Sequence, residues 1–233
     1  MLIPSHRHTK EDLQLWQSYL ESDKLHRVNI ERSVNEVRGF AQERCYCSVS
    51  WGKDSVVTAW LVATWTPWVP LVWVRPEGAE CPGCEDVRDA FLRRFDVDYF
   101  EPTFPAKLWN DPTVSNERCF RPAVEATGTH RRIVGVRASE SGIRKMSMRI
   151  HGLATESVCR PIGWLSEQDV FALLAIHDLP THPNYAMLGQ GRWKREKLRV
   201  DAIGGHTGGG NGRSEWEHEY YGDVLARMRA RRP

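Results

Sequence analysis

The sequence predicts an α/β fold: a parallel sheet with helices on both faces, and helical extensions at the N and C termini. Three observations predict it. Short apolar runs of strand length alternate with helical patterns from residue 45 to residue 177. Several of these runs are apolar throughout, as suits strands buried on both sides. A Gly-containing turn stands where the first run hands over to a helix.

The 233 residues carry a formal charge of +2, with 41% hydrophobic and 27% charged residues, which sets aside disordered, collagen-like and low-complexity chains. No run of roughly 18 apolar residues is present, so no membrane-spanning helix is expected. The opening segment has no apolar stretch of the secretory-signal kind. A cytoplasmic protein is therefore expected, and its six cysteines are expected to be thiols, redox groups or ligands rather than a disulfide framework.

In chain order, Thr9 and Asp12 form a capping-box pattern ahead of Leu13, Trp16 and Leu20 at helical spacing, and residues 28–40 repeat the pattern. Residues 1–43 thus read as a helical N-terminal extension, 44–190 as the α/β domain, and 191–233 as a glycine-rich segment with a last helix. Residues 45–50 read as the first strand and 56–65 as an apolar helix, with Trp60, Trp65 and Trp73 placed in the core. Residues 70–74 read as a strand, 84–95 as a helix, 97–100 and 132–136 as strands, and 139–150 as a helix. Residues 151–165 read as a loop with a short strand at 158–162. Ser166 then caps a helix through residue 177, with Glu167 and Asp169 in its first turn. Six glycines fall within residues 204–212. Ser214 and Glu217 form a capping-box pattern before the last helix, which ends in a basic tail at 227–232.

The turn Ser50, Trp51, Gly52, Lys53, Asp54, Ser55 carries the chemistry. In an open parallel sheet, ligands sit beyond the carboxyl ends of strands. Gly52 there admits a conformation denied to bulkier residues. The N–H groups of the following helix start suit phosphate oxygens. Ser50 and Ser55 add hydroxyl donors and Lys53 a cation, while Asp54 either caps the helix or helps hold Mg²⁺ on the phosphates. The spacing is not that of a Walker A loop, and an ordinary strand–turn–helix connection is the plain alternative.

These six residues resemble the PP-loop of the adenine nucleotide α-hydrolase superfamily, whose usual form has two adjacent glycines. The single-glycine form, with Trp51 in place of the first, is similar to variants in the phosphoadenosine phosphosulfate (PAPS) reductase family, which also includes the small subunit of ATP sulfurylase. Residues 135–144 resemble that family's arginine motif. Residues 160–170, continued by 179–185, resemble its proline–tryptophan–aspartate-valine block and the following loop. The resemblance implies a Rossmann-like (HUP-type) sheet, and ATP or a PAPS-type adenine nucleotide with Mg²⁺. Arg137 and Arg144 lie seven residues apart, so they stand near one face of a short helix and suit a clamp on phosphate, sulfate or departing pyrophosphate. Arg144 equally suits a surface salt bridge. Glu140 suits Mg²⁺ or an orienting role. His182 is read as a loop histidine, Asp169 as a first-turn charge and Trp164 as packing.

The chain departs from the reductases in its cysteines. Their nucleophilic cysteine lies near the carboxyl end, whereas no cysteine follows Cys159 here. What remains is Cys81-Pro82-Gly83-Cys84 at a helix start, where the helix dipole would favour thiolate. It reads as a redox or sulfur-carrying pair, as part of a zinc or iron–sulfur site with Cys45, Cys47 or Cys119, or as packed thiols. The leading expectation is attack at the α-phosphate of a bound nucleotide, adenylylating an acceptor for sulfur transfer. A nucleic-acid acceptor would meet Arg131, Arg132 and the basic tail. One alternative is sulfonucleotide reduction by Cys81 and Cys84 with a thioredoxin-like protein. Another is a non-catalytic nucleotide-binding subunit, and the chain is expected to form a homo-oligomer or join a complex.

Overall fold

The structure, a computed structural model, describes residues 1–77, 81–105, 114, 116–200, 202–204 and 213–230. The glycine-rich residues 205–212 and the end of the basic tail (231–233) lie outside the described residues. The strands are β1 (Tyr46–Ser48), β2 (Leu71–Val72), β3 (Arg75–Glu77), β4 (Tyr99–Phe100), β5 (Thr103–Pro105), β6 (Arg132–Val134) and β7 (Val158–Cys159). The α-helices are α1 (Lys10–Leu25), α2 (Glu31–Phe40), α3 (Lys53–Trp65), α4 (Cys84–Leu92), α5 (Asn116–Thr127), α6 (Gly142–His151), α7 (Glu167–Ile176) and α8 (Arg213–Ala230). Five strands form one parallel sheet in the order β4-β2-β1-β6-β7, and β3 pairs with β5 in a separate parallel pair. The chain works outward from β1 through β2 to β4, then returns to the other side at β6. The order therefore reverses between β1 and β6, and that junction is where an open parallel α/β sheet leaves a crevice.

Alternation along β1 divides the core. Cys45 and Cys47 face one side, packed with the α3, α4 and α7 residues Val57, Phe91 and Leu173. Tyr46 faces the other, with Val72, Val74 and the α5 residues Cys119 and Ala123. Both faces are covered, as expected of strands without a polar side. Helix α3 is apolar nearly all round and buried from Ser55 to Val62, the pattern of an interior helix. Trp60 and Trp73 are buried as expected, and Trp65 is half-buried. No helix among the described residues is long and apolar enough to cross a membrane.

Several local readings are corrected. Thr9 does cap α1, accepting the Asp12 N–H at 3.1 Å, but the Asp12 carboxylate does not return to Thr9. It is fully buried and accepts from the Leu188 N–H at 3.1 Å and the Tyr220 hydroxyl at 2.6 Å, tying α1 to α8. Ser214 lies inside α8, and Glu217 accepts from the Arg213 guanidinium at 2.7 Å and the Gly204 N–H at 3.1 Å. The box at Ser166 is complete: Asp169 Oδ2 accepts both the Ser166 N–H and hydroxyl at 2.7 Å. Its other oxygen pairs with His26 at 2.8 Å. Burial opposes ionisation of Asp169, but these partners outweigh it and hold its pKa below the usual carboxylate range. Trp164 is 40% exposed rather than packed, because it lines an open cleft with Arg32, Phe40 and Leu153.

Candidate functional site

The residues that leave β1 enter α3 through a turn strained at one position. Trp51, not Gly52, is the left-handed residue, with φ 58°. Gly52 is extended (φ −78°, ψ 166°) and serves as N-cap. The expectation that Gly52 supplies the unusual backbone is therefore corrected: its backbone is ordinary, and a Cβ there would meet Tyr185 Oη and Val200 Cβ only at normal contact distances of 3.4 and 3.6 Å. Trp51 holds its conformation through burial, with no exposed surface and ring contacts to Phe91 and Tyr99. Truncating a buried Trp costs about 3–5 kcal/mol, while the left-handed backbone costs a side-chain-bearing residue about 1–2 kcal/mol. Both Trp51→Gly and Trp51→Ala are thus expected to destabilise, with the alanine variant the worse by about 1 kcal/mol in urea unfolding. Equal stability of the two would remove the strain from this account.

The turn is closed from within. The Ser55 hydroxyl donates to the Gly52 carbonyl at 3.1 Å and accepts the Ser50 N–H at 3.2 Å, while Ser50 itself is exposed. The Lys53 N–H donates to Tyr185 Oη at 3.1 Å. At the end of β6, Gly135 lies so close to α3 that a Cβ would stand 2.7 Å from the Asp54 carbonyl oxygen. That approach brings Arg137 to the same place.

A charged cluster results at the β1/β6 junction. Arg137 Nε donates to Asp54 Oδ1 at 2.5 Å, and Lys53 Nζ donates to Asp54 Oδ2 at 2.9 Å. Glu167 Oε1, from the first residue of α7, lies 3.2 Å from Lys53 Nζ and 3.5 Å from Arg137 Nη2. Arg137 Nη1 also donates to Ser139 Oγ at 2.8 Å. Only 8% of the Lys53 side chain and 3% of the Arg137 side chain are exposed, so these are nearly desolvated cations. Burial works against the Lys53 charge, but Tyr185, Asp54 and Glu167 outweigh it and raise its pKa. Tyr185, whose ring lies 5.5 Å from Lys53 Nζ, is itself pushed up to about 12 by burial. Glu140 accepts the Arg137 backbone N–H at 3.2 Å and forms an ion pair with Arg144, which is half exposed at the rim.

Lys53, Asp54, Arg137 and Glu140 thus come together although Asp54 and Arg137 are 83 residues apart, with Arg144 joined through Glu140. Glu167 and Tyr185 belong to the same cluster and were not singled out for it in the sequence. Their only sequence signal was position, since Glu167 reads as a partner for its own helix dipole and Tyr185 as a loop aromatic.

Cys81 and Cys84 sit directly beneath the turn, and the Cys84 thiol donates to the Ser50 carbonyl at 3.9 Å. Asn184 Nδ2 donates to Cys81 Sγ at 3.3 Å. Among the described residues no three metal-ligating side chains converge. Cys119 packs on the opposite face of the sheet from Cys81 and Cys84, and Cys45 and Cys47, though on the same face, do not converge with them on a common point, so the residues do not fit a zinc or iron–sulfur site. Burial pushes Cys45 up to about 11 and Cys159 up to about 12, and raises Cys47 and Cys119 as well; these four are packed thiols.

Fold and site together define a doubly wound parallel α/β protein with a charged cluster at its topological switch point. Among solved structures it is similar to a phosphoadenylyl-sulfate (PAPS) reductase from Candida auris, determined as a phosphate complex. The match covers 74% of this chain and 92% of that one, at 14% identity and a TM-score of 0.49. No protein-family model matches the chain, and no curated protein does.

Proposed function

We propose that the cluster at the β1/β6 junction binds the phosphate end of an adenine nucleotide, either ATP or a sulfonucleotide of the PAPS type. The observation that carries this reading is the convergence of two nearly buried cations, Lys53 and Arg137, beside the N terminus of α3. A fold does not place two such charges at a switch point cheaply; ligand anions are what the arrangement suits. Their partners explain how it works. Asp54, Glu140 and Glu167 match Lys53, Arg137 and Arg144 charge for charge, so the cluster is neutral before the ligand enters. A polyphosphate must therefore bring a cation or displace a carboxylate. Mg²⁺ fits the first route, since it is held by one or two carboxylates together with substrate phosphates and water. Asp54, whose oxygens each face one cation among the described residues, is the residue that would share it; bound there, the ion would polarise the phosphates. Arg137, fixed by Ser139 and the carboxylates, would face charge developing on a departing group without reorganising. Substitution at the α-phosphate, with pyrophosphate leaving and an acceptor adenylylated ahead of sulfur transfer, is the reaction this arrangement suits best.

Calorimetry with ATP, PAPS and adenylyl sulfate, each with and without Mg²⁺, tests the reading. One of the three is expected to bind, more tightly with Mg²⁺, and Lys53→Ala is expected to weaken it at least tenfold, a loss of about 1.4 kcal/mol. Binding of none, or affinity unchanged in the variant, refutes it. The position of Cys81 and Cys84 under the turn favours a second reading, reduction of a sulfonucleotide, for which sulfite release from PAPS with thioredoxin is the assay.

A further inference from the structure

The pair below the turn supports an inference that stands apart from the nucleotide reading. We propose that Cys81 and Cys84 form a thiol–disulfide exchange site in which Cys81 is the attacking sulfur and Cys84 the resolving one. Cys81 and Cys84 are buried, at 5% and 3% exposed, so the substrate class is a small disulfide that can enter beneath the turn rather than one held on a protein surface.

The geometry singles out Cys81. Its sulfur accepts from Asn184 Nδ2 at 3.3 Å, and the Cys84 thiol, whose one proton faces either the Ser50 carbonyl or Cys81, can turn to it; Cys84 is the first residue of α4 and its N–H donates to the Cys81 carbonyl at 3.2 Å. His182 supplies a further donor. The Asn184 N–H donates to His182 Nδ1 at 3.2 Å, which makes Nδ1 an acceptor and leaves the ring proton of the neutral tautomer on Nε2. That Nε2 is buried, with the residue 1% exposed, and among the described residues it makes no hydrogen bond of ordinary geometry. It adjoins Gly83, between the two cysteines: a Cβ on Gly83 would stand 3.2 Å from it. Gly83 has φ 101°, so the link between the cysteines requires glycine on both counts. A buried, proton-bearing nitrogen beside a sulfur, with no other acceptor among the described residues, is a donor held ready for an anion, here the thiolate.

Among the described residues, the other groups facing Cys81 are the phenols of Tyr185 and Tyr221, beyond which stand Lys53, Asp54, Arg7 and Arg213. The hydrogen bond from Cys84 acts most strongly on Cys81. Burial opposes it, the His182 and Asn184 donors reinforce it, and the thiol is held well below its ordinary pKa.

In the exchange, the Cys81 thiolate attacks a disulfide RSSR. A Cys81–S–S–R bond forms as the original S–S bond breaks, and RS⁻ leaves and takes a proton from water. Cys84 then loses its proton to water, and its thiolate attacks Cys81 Sγ, closing the Cys81–Cys84 disulfide and expelling the second RS⁻, which likewise takes a proton from water. The pair loses two electrons and RSSR becomes two RSH.

The test uses the full chain without nucleotide, so its outcome is separate from that of the calorimetry. Thiolate absorbance near the ultraviolet edge is followed against pH in the protein and in Cys81→Ser. With the four packed cysteines silent, the protein is expected to show a thiolate at neutral pH, titrating below the ordinary thiol value of about 8.5, and Cys81→Ser is expected to lack it. Asn184→Asp keeps an acceptor for the Tyr221 hydroxyl but removes the donor to sulfur, and should raise the midpoint by about one pH unit or more. With oxidised glutathione, the peptide spanning both cysteines should lose two hydrogens, and Cys84→Ser should trap glutathione on Cys81. The proposal is overturned by neutral-pH absorbance that survives Cys81→Ser, by a midpoint unmoved in Asn184→Asp, or by glutathione carried on Cys84 in Cys81→Ser as readily as on Cys81 in Cys84→Ser.

Discussion

Arg137→Ala is expected to abolish measurable nucleotide binding and to lower the unfolding free energy by about 3 kcal/mol. The two effects have one origin. Arg137 is nearly buried and pairs with Asp54 at 2.5 Å and Glu167 at 3.5 Å. Its removal leaves two carboxylates in a partly desolvated crevice with Lys53 as their remaining cation in the cluster, and an uncompensated buried charge is the costly outcome of breaking such a pair. Arg137→Lys restores charge but not the fork that spans Asp54, Ser139 and Glu167, so it should recover part of the stability and little of the affinity. Urea unfolding separates these terms from calorimetric binding. If Arg137→Ala unfolds like the parent protein and binds as well, neither the cluster's energetics nor its role survives.

Gly135→Ala is expected to be the most disruptive single-methyl change near the site. The added carbon would stand 2.7 Å from the Asp54 carbonyl oxygen and 2.9 Å from the Ser55 nitrogen, both backbone atoms of α3 that no side-chain rotation can clear. Either β6 or the first turn of α3 must move, at about 1–3 kcal/mol for overpacking. The displacement would also pull Asp54 from Arg137, so nucleotide affinity should fall at least tenfold even where the fold persists. Gly142→Ala makes the control, because nothing lies within 4 Å of the carbon it adds. Equal behaviour of the two variants would show that the close approach has no consequence.

Strand-and-helix order was legible wherever a pattern ran unbroken. The strand run that begins at residue 45 and the apolar helix after it are examples, and alternation correctly placed Cys45 and Cys47 on one face. Residues 101–131 were not legible. Strand β5 has three residues and gains its identity by pairing with β3, while α5 carries Pro122 within it, which withholds a backbone donor and blurs the helical pattern. The capping boxes show the same divide. Ser166 and Asp169 close theirs locally, whereas Asp12 has the right spacing but is drawn off by Tyr220, distant in sequence, and Glu217 by Arg213 and Gly204.

By itself the sequence determined the fold class and the turn at residue 50, because periodicity and turn chemistry act over a few neighbouring residues. Only the tertiary structure decided which charges meet there. Glu167 and Tyr185 reach Lys53 through the packing of α7 and its following loop on α3, and His182 and Asn184 reach Cys81 by the same loop. Trp51 rather than Gly52 takes the left-handed backbone, because burial against Phe91 and Tyr99 outweighs a local cost that no short-range rule would assign to tryptophan.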